Sequence, residues 1–340
     1  MKPITLRTVA QQAGVSIATV SKVVNGINKG ISAETVARVQ RIIHELNYRP
    51  NRMGRELRTQ RNYIVGMAIV DNSPTFLTDP YITQLVAGLS NYLGAQNYGL
   101  LLHGISPEMV EQSFLLKESV VVAMCLMLSG TATQRRRHLD LVRASGHPMV
   151  VFQEQPRRTI TDCCFVNQDD LGGAQVLAMK VVARHPKRVF ILTPELPWHA
   201  IESRVKGLRK VLDKHKCNYH VIASDENQPS STLLSLEAAI ARHGTPDTVV
   251  GANDHLAYVA YRHLTDNGYR VPEEIGITGF NAFDTNAFLR PVLESVRSPA
   301  YELGETGGKA LLARLEHGRF DSDSITLPVT PVSGTTLLTD

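Results

Sequence analysis

Basic side chains are concentrated at one end of the chain. The first 62 residues carry eleven Lys or Arg and three Glu, a formal charge of +8, whereas the other 278 residues carry twenty-five basic and twenty-nine acidic side chains, or −4. Ammonium and guanidinium groups clustered in this way bind phosphates, so the distribution predicts that this end of the chain meets a polyanion. The segment is not of low complexity, which distinguishes it from a solvated basic tail.

The other reactive side chains do not form an arrangement typical of an enzyme. Carboxylates adjoin at Asp169-Asp170 and at Asp225-Glu226, but neighbours at a helix start or in a loop rarely make an acid–base pair. The twelve histidines are scattered, the four cysteines lack CxxC spacing, and the sequence has no phosphate-binding loop, nucleophile elbow or zinc-protease motif. We therefore expect no catalytic residue, no metal site and no cofactor, with the cysteines as reduced thiols buried on strands.

Length and composition limit the class of protein further. The chain has 340 residues, 43% hydrophobic and 20% charged, as in a globular protein with two or three domains. Its longest apolar run, Val120–Leu128, has nine residues, far fewer than the ~20 of a membrane helix. The first residues contain no apolar stretch of a secretion signal. These features predict a cytoplasmic protein without membrane contact.

Three short helices are predicted near the N-terminus, each begun by a hydroxyl-bearing N-cap. Thr5 precedes the first helix, Ser16 the second and Ser32 the third. Only the tight turn Ala13–Ser16 separates the first two helices, and its glycine suits the left-handed conformation, so the spacing is typical of a helix-turn-helix. Such a unit presents its second helix, here residues 17–25, to the major groove of DNA.

A short basic helix is predicted within residues 47–58, beginning at Asn51. Met53 and Leu57, four positions apart, give it an apolar stripe, while Gly54 in its interior costs ~1 kcal/mol of helix stability. A marginal helix with positive charge and an apolar stripe suits a segment that folds on DNA and inserts a wedge into the minor groove. A linker without DNA contact is the alternative.

From Tyr63 onward the pattern alternates between apolar strands and amphipathic helices. Repeated strand–helix units predict doubly wound parallel sheets, in which ligands bind beyond the carboxyl ends of the strands and in a cleft between two such subdomains. The strands are predicted at Tyr63–Val70, Gly99–His103, Val120–Leu128, Met149–Phe152, Cys163–Val166, Arg188–Thr193, His220–Ala223, Thr248–Gly251 and Ile275–Gly279.

Seven stretches of the sequence, spread over essentially the whole chain, form a set of motifs. They are Val9-Ala10, Ala13-Gly14-Val15-Ser16, Thr19–Asn25, Leu46-Asn47-Tyr48, Pro50-Asn51, Val271–Phe280 and Ser298–Gly304. Together they resemble the motifs of the LacI/GalR family of bacterial transcription regulators, and as a set they are highly specific.

The resemblance implies an α/β protein with three parts. A three-helix helix-turn-helix headpiece (1–46) and a hinge helix with its linker (47–62) would precede a periplasmic-binding-protein-like core (63–340), in which each of two subdomains holds a doubly wound parallel sheet. A homodimer is implied as well, because the sequence after Gly334 is too short for the leucine heptads of tetrameric relatives.

The implied subdomains of the core each take two stretches of the chain. Crossover strands near residues 166, 296 and 329 would join them. The implied boundaries are about 63–166 and 297–328 for the N-subdomain, and about 167–296 and 329–340 for the C-subdomain.

The same resemblance assigns DNA contacts to the headpiece and the hinge. Ile17, Ala18 and Lys22 match the base-reading positions of the recognition helix. Ile17 and Ala18 offer only apolar contacts, such as one to a thymine methyl, whereas Lys22 can bind guanine O6 and N7. Leu57 matches the leucine that relatives insert at the centre of the operator. The remaining implied contacts, mostly to phosphates, are Thr5, Leu6, Ser16, Thr19, Ser21, Asn25, Asn51 and Arg52.

The resemblance also implies an effector pocket of nine residues. Arg204 matches the residue that binds ligand hydroxyls or a carboxylate. Gln153 and Asn281 occupy two positions that often hold Asp in sugar-sensing relatives. The charge of Arg204 would then be poorly compensated, which favours a sugar acid or sugar phosphate, unless Asp79, Asp254 or Glu202 supplies a counter-charge. The implied effector-binding residues are Asp79, Tyr81, Ser129, Gln153, Trp198, Arg204, Asn253, Asn281 and Ser298.

We therefore expect a sequence-specific regulator of transcription. It would be a repressor that binds double-stranded, pseudo-palindromic operator DNA and is controlled by a small-molecule effector derived from a carbohydrate. The same fold sensing a neutral sugar, a purine or a nucleoside is the first alternative. A solute-binding transport protein would not begin with a basic helix-turn-helix, and an enzyme would need a catalytic arrangement that the sequence does not offer.

Overall fold

The structure is a computed structural model that describes residues 4–49, 63–157, 159–196, 198–284, 286 and 290–338. These residues belong to two compact units, Met1–Asn62 and Tyr63–Asp340. Three predicted DNA contacts, Asn51, Arg52 and Leu57, lie outside the described residues, together with most of the predicted hinge.

The first unit contains the three predicted helices. Their predicted N-caps are confirmed, because the side-chain hydroxyls of Thr5, Ser16 and Ser32 accept hydrogen bonds from the backbone N–H groups three residues further on. The helices are α1 (Leu6–Ala13), α2 (Ile17–Val24) and α3 (Ala33–Glu45).

The turn and the core of the first unit follow from its sequence pattern. Gly14 ends α1 with a φ of 62°, a left-handed conformation that an L side chain rarely adopts. The turn lets α1 and α2 pack with α3 around a small apolar core, in which Val9, Val20 and Val39 are completely buried. The periodic valines therefore fix which face of each helix remains accessible.

The second unit alternates strands and helices, as the sequence predicts. None of its helices in the described residues is both long and apolar enough to cross a membrane. The strands are β1 (Ile64–Val70), β2 (Gly99–Ile105), β3 (Ala123–Leu128), β4 (Met149–Phe152), β5 (Cys163–Gln168), β6 (Val189–Pro194), β7 (Tyr219–Ser224), β8 (Thr248–Gly251), β9 (Gly276–Thr278), β10 (Ser295–Arg297), β11 (Ser324–Leu327) and β12 (Thr330–Val332). The helices are α4 (Pro80–Ala95), α5 (Phe114–Lys117), α6 (Ala132–Arg143), α7 (Asp170–Ala183), α8 (His199–Lys214), α9 (Pro229–His243), α10 (Asp254–Asp266) and α11 (Ala300–His317).

Two parallel sheets organise the second unit. The first has the strand order β11-β5-β4-β3-β1-β2 and the second the order β7-β6-β8-β9, and every hydrogen-bonded pair within them is parallel. The first sheet takes its edge strand β11 from late in the sequence, while β10 and β12 form an antiparallel pair. The predicted fold class, an α/β chain with a helical headpiece and two parallel sheets, is confirmed.

The cysteines illustrate how the strands are buried. Cys125 on β3 and the adjacent Cys163 and Cys164 on β5 are buried free thiols, as predicted. Burial raises the pKa of the Cys164 thiol to about 11, so it stays protonated and unreactive at neutral pH. Cys217 departs from the prediction, since it is only half-buried and lies in the loop between α8 and β7.

Candidate functional site

Helix α2 has one buried face and one accessible face. Val20 and Val23 are buried, whereas Ile17, with 47% of its surface exposed, and the exposed Ala18 and Lys22 point away from the core. The helix sequence, IATVSKVV, contains no acidic side chain that would repel phosphates. The three residues predicted to read bases therefore share the accessible surface of one helix.

The polar side chains around α2 also stabilise the helix itself. Ser16 Oγ accepts a hydrogen bond from the Thr19 N–H at 3.1 Å and lies 2.9 Å from Thr19 Oγ1. Asn25 Nδ2 donates to the carbonyl of Ser21 at 2.6 Å. Leu6, also a predicted DNA contact, is half-buried and packs against the apolar core of the first unit. Each of these residues thus has a structural role besides any contact with DNA.

A cavity in the second unit lies where strands of both sheets end and helices begin. It encloses about 460 Å³ including its open mouth, and we call it the inner cavity. Its walls bring together seven of the nine predicted effector-binding residues: Asp79, Tyr81, Gln153, Trp198, Arg204, Asn253 and Asn281.

The other two predicted residues lie beside the inner cavity. Ser129 lines an adjoining cavity and donates its hydroxyl to the carbonyl of Val70 at 3.0 Å. Ser298 is buried, and its hydroxyl lies 2.8 Å from Gln168 Oε1 and 3.1 Å from Asn281 Oδ1. Ser298 therefore holds the side chain of Asn281 through a hydrogen bond and does not line the inner cavity itself.

Arg204 is held by three groups of the protein. Its Nε donates to Asp170 Oδ1 at 2.7 Å, Nη1 to the carbonyl of Ala252 at 2.8 Å, and Nη2 to Asn281 Oδ1 at 3.1 Å. The guanidinium also lies 3.9 Å from the ring centroid of Phe280. These contacts occupy three of its five N–H groups and fix the plane of the guanidinium at the wall of the inner cavity.

The expectation that the charge of Arg204 is poorly compensated is wrong. Asp170 supplies the counter-charge, and both side chains are almost completely buried. The adjacent carboxylates separate because Asp169 caps α7, accepting the Gly172 N–H at 2.8 Å, which turns Asp170 toward Arg204. Burial raises the pKa of Asp170, and the positive charge of Arg204 opposes that rise.

Asp254, Glu202 and Asp79, the three other possible counter-charges for Arg204, make different contacts. Asp254 accepts hydrogen bonds from the Ala282 N–H, from Asn286 Nδ2 and from Ser295 Oγ, so it fixes the loop after β9. Glu202 pairs with Arg135. Asp79 lines the inner cavity and caps α4 by accepting the N–H of Tyr81 at 2.8 Å.

Two buried polar atoms of the inner cavity have no hydrogen-bond partner among the described residues apart from each other. They are the hydroxyl of Tyr81 and the Nε2 of Gln153, on side chains that are more than nine-tenths buried. Gln153 and Asn281 also have positive φ angles, of 53° and 118°, which side chains other than glycine rarely adopt. Unsatisfied donors and strained backbone are typical of a site shaped for a ligand.

Glu226 lines the inner cavity but was not among the predicted residues. Its Oε2 accepts a hydrogen bond from Asn253 Nδ2 at 2.6 Å. Burial, and then the negative charges of Asp79 and Asp71, raise the pKa of Glu226 to about 7. The sequence signal for Glu226 is its position two residues after β7, at the edge of the sheet where ligands bind. As part of the pair Asp225-Glu226 it suggests only an acid–base couple, which hides this signal.

Replacing Glu226 with Gln is expected to stabilise the ligand-free protein more at about pH 8 than at about pH 5. Because the pKa of Glu226 is higher in the folded than in the unfolded chain, its stabilisation of the fold is lost as the pH rises through about 7. Unfolding midpoints across this range measure the effect. Glu316→Gln, which removes an exposed carboxylate of α11, serves as the control, and a gain independent of pH would contradict the prediction.

A buried arginine connects the two halves of the second unit. Arg135 on α6 donates from Nε to Glu154 Oε2 at 2.7 Å and from Nη2 to Glu202 Oε2 at 2.7 Å. Glu154 follows β4 of the first sheet, whereas Glu202 lies on α8, which follows β6 of the second sheet. The Arg135 side chain is 1% exposed, and its Nη1 also donates to the carbonyl of Gly130 at 2.5 Å. One side chain thus ties the first sheet to the helix that carries Arg204.

Both units contain residues that match known protein families. Residues 5–51 match the family described as bacterial regulatory proteins, lacI family, and residues 181–337 match a periplasmic binding protein-like domain. Catabolite control protein A of Staphylococcus aureus is 28% identical over 327 residues, 96% of either chain. The ribose operon repressor of Bacillus subtilis is 25% identical over 328 residues, again 96% of either chain.

Solved structures share the fold over nearly the whole length. The Lac repressor dimer bound to operator and an anti-inducer has a TM-score of 0.85 at 22% identity, covering 99% of this chain and 100% of that one. A complex of the transcriptional regulator CelR with cellobiose has a TM-score of 0.71 at 23% identity, covering 98% and 99%. These relatives are regulators of transcription and not enzymes. The chain thus joins a lacI-family DNA-binding headpiece to a periplasmic-binding-like domain, and over nearly its whole length it is similar to regulators of transcription.

Proposed function

We propose that the protein is a cytoplasmic repressor that binds a pseudo-palindromic operator as a homodimer and changes its operator affinity when a small polyhydroxylated molecule fills the inner cavity. The observation that carries the proposal is the cavity itself, whose walls hold a fixed Arg204 together with the Tyr81 hydroxyl and Gln153 Nε2, which have no hydrogen-bond partner among the described residues except each other. Relatives named as a ribose operon repressor and a cellobiose-bound regulator support a carbohydrate effector.

On the DNA side, α2 is the recognition helix. Ile17 and Ala18 make apolar contacts with base edges, and Lys22 donates to guanine O6 or N7. The exposed N-termini of α1 and α2, at Thr5 and Ser16, approach phosphates, which accept hydrogen bonds from backbone N–H groups at such ends. Asn51, Arg52 and Leu57 complete the contact surface when the hinge meets the minor groove.

Lys22→Ala is expected to weaken operator binding and to reduce discrimination at one base pair by ~1–3 kcal/mol per recognition helix. Lys22 is exposed on the accessible face of α2, so its loss removes a base contact without opening the core. Fluorescence anisotropy on an operator selected from random duplexes, and on its single-base-pair variants, measures both effects. Lys29→Ala, at an exposed position after α2, is the control, and an equal loss in both variants would contradict base reading.

On the effector side, the hydrogen-bonding capacity of the inner cavity suits hydroxyl groups. Arg204 retains two N–H groups beyond the three that the protein occupies, and Gln153 Nε2 offers another donor. Asp79 and Glu226 offer acceptor oxygens. The charge of Arg204 no longer favours a sugar acid or sugar phosphate as the effector, because Asp170 already neutralises it.

Effector and operator are coupled through the arrangement of the two sheets. A ligand changes an equilibrium only by the difference in its affinity for the two states, so the effector must contact both halves of the inner cavity. Tyr81 and Gln153 belong to the half with the first sheet, and Arg204 and Asn253 to the half with the second. A ligand that touches all four is sensitive to the distance between the halves.

The experiment that tests the proposed function uses the only tryptophan of the chain, Trp198, which lines the inner cavity. Sugars, sugar acids, sugar phosphates and nucleosides are titrated into the full-length protein while its fluorescence is recorded. The compounds that change the fluorescence are then added to the complex with the selected operator. A compound that changes both signals supports the proposal, and fluorescence changes that never alter operator affinity would contradict it.

A further inference from the structure

The inner cavity is the middle of a larger opening. It shares Asp79, Glu226, Asn253 and Asn281 with one neighbouring cavity. It shares Trp198 and Glu226 with a second neighbour. We call the three together the effector cleft. A ligand in the inner cavity therefore faces charges from the walls of all three.

The walls of the effector cleft are strongly acidic. Among the described residues, they hold six carboxylates, while their basic side chains are His255 and Arg204. Arg204 adds no net charge, because Asp170 is bound to it at 2.7 Å. The carboxylates belong to Asp71, Asp79, Glu195, Asp225, Glu226 and Asp254.

Evidence that a ligand fills this acidic space comes from two buried polar groups. The Tyr81 hydroxyl and Gln153 Nε2 line the same inner cavity as Asp79 and Glu226, and apart from their contact with each other they have no hydrogen-bond partner among the described residues. Buried polar groups cost free energy unless they are hydrogen-bonded, so the cavity is completed by a molecule with oxygen atoms. The carboxylates then indicate the sign of its charge.

We propose that the effector is a polyhydroxylated amine, such as an amino sugar, whose ammonium group lies between the carboxylates of Asp79 and Glu226 while its hydroxyls bind Gln153, Tyr81 and Arg204. The inference rests on the proposed function and names the class of ligand for the same site. Trp198 lines two of the cavities, and aromatic rings also attract cations.

The mutual repulsion of the carboxylates supports this choice. The pKa of Glu226 is raised to about 7, first by burial and then by the negative charges of Asp79 and Asp71. An ammonium group placed among these side chains replaces repulsion by attraction, whereas a carboxylate or phosphate on the ligand adds to the repulsion. The charge of the cleft neither strengthens nor weakens the binding of a neutral sugar.

The test compares sugars that share one skeleton and differ in charge. Glucosamine, glucose and glucuronate, and the same three forms of galactose, are titrated into full-length protein at neutral pH while the fluorescence of Trp198 is followed. We expect the amine to half-saturate the signal at about one-tenth of the concentration that the neutral sugar of the better-binding skeleton needs, a difference of ~1.4 kcal/mol. The uronate should bind more weakly than the neutral sugar.

The variant Glu226→Gln tests whether the carboxylate of Glu226 causes the tighter binding of the amine. This variant should reduce the advantage of the amine to less than about threefold, whereas Glu316→Gln, which removes an exposed carboxylate of α11, should leave it unchanged. An unchanged advantage in Glu226→Gln, or a neutral sugar or uronate that binds as tightly as the amine, would overturn this inference while the proposed function stands. Failure of all six sugars to change the fluorescence would also overturn this inference, whereas the proposed function is decided separately by the wider panel of compounds described above.

Discussion

Replacing Arg204 with Met is expected to abolish the effect of ligand on operator binding and to lower the free energy of unfolding by about 3–5 kcal/mol. The Arg204 side chain is buried, and without it the carboxylate of Asp170 would remain in the interior without a cation. Asn281 Oδ1 and the carbonyl of Ala252 would each lose a donor as well. Urea unfolding measures the stability, and operator anisotropy with and without ligand measures the response.

A double variant separates the two roles of Arg204. When Arg204→Met is combined with Asp170→Asn, no charge of the pair remains buried, so most of the lost stability should return. The ligand response should stay absent, because the side chain that faces the ligand is still missing. A loss below about 1 kcal/mol in the single variant, or a ligand response in the double variant, would show that the pair does not have these roles.

Arg135→Met is expected to lower the free energy of unfolding by a comparable ~3–5 kcal/mol. Its loss would leave the carboxylate of Glu154, whose side chain is 6% exposed, without its arginine partner. It would also remove the ion pair that connects Glu202 to the first half of the unit. The buried carboxylate then lacks the cation that lies 2.7 Å away in the intact protein. Urea unfolding of the full-length protein measures this effect.

Helix α6 supplies a matched control for this variant. Arg137, two residues further along, makes an ion pair of the same length with Glu111, but the side chains are 71% and 55% exposed. Exposed pairs are screened by water, so Arg137→Met should cost only ~0–1 kcal/mol. Equal losses in the two variants would contradict the view that burial gives the Arg135 pairs their importance.

The local elements of this protein could be predicted from its sequence because their causes are local. A hydroxyl at Thr5, Ser16 or Ser32 begins a helix through a bond to a backbone group three residues away, and Gly14 ends one by its own φ angle. The continuous apolar strands of the parallel sheets are equally visible in sequence. The apolar pattern does not show where a strand begins, because the apolar run starts at Val120 whereas β3 starts at Ala123.

The charge pairs of the cleft could not be predicted, because they depend on the crossing of distant segments. Asp170 and Arg204 are 34 residues apart, and Arg135 and Glu202 are 67 apart, so no spacing in the sequence reveals either contact. The resemblance to a family led to seven residues around one cavity but gave no counter-charge for Arg204. As a result, the preference for an anionic ligand rested on a charge that the fold had already neutralised.

The complete burial of the Asp170–Arg204 pair has a consequence for how the protein responds to ionic strength. Its side chains are 5% and 4% exposed, so mobile ions cannot come between them. The proposed contacts of the basic headpiece with phosphates would depend instead on the release of counterions, so they are expected to weaken steeply as salt rises. Salt concentration is therefore expected to adjust the strength of operator binding and to leave the internal pairing of the cleft nearly unchanged.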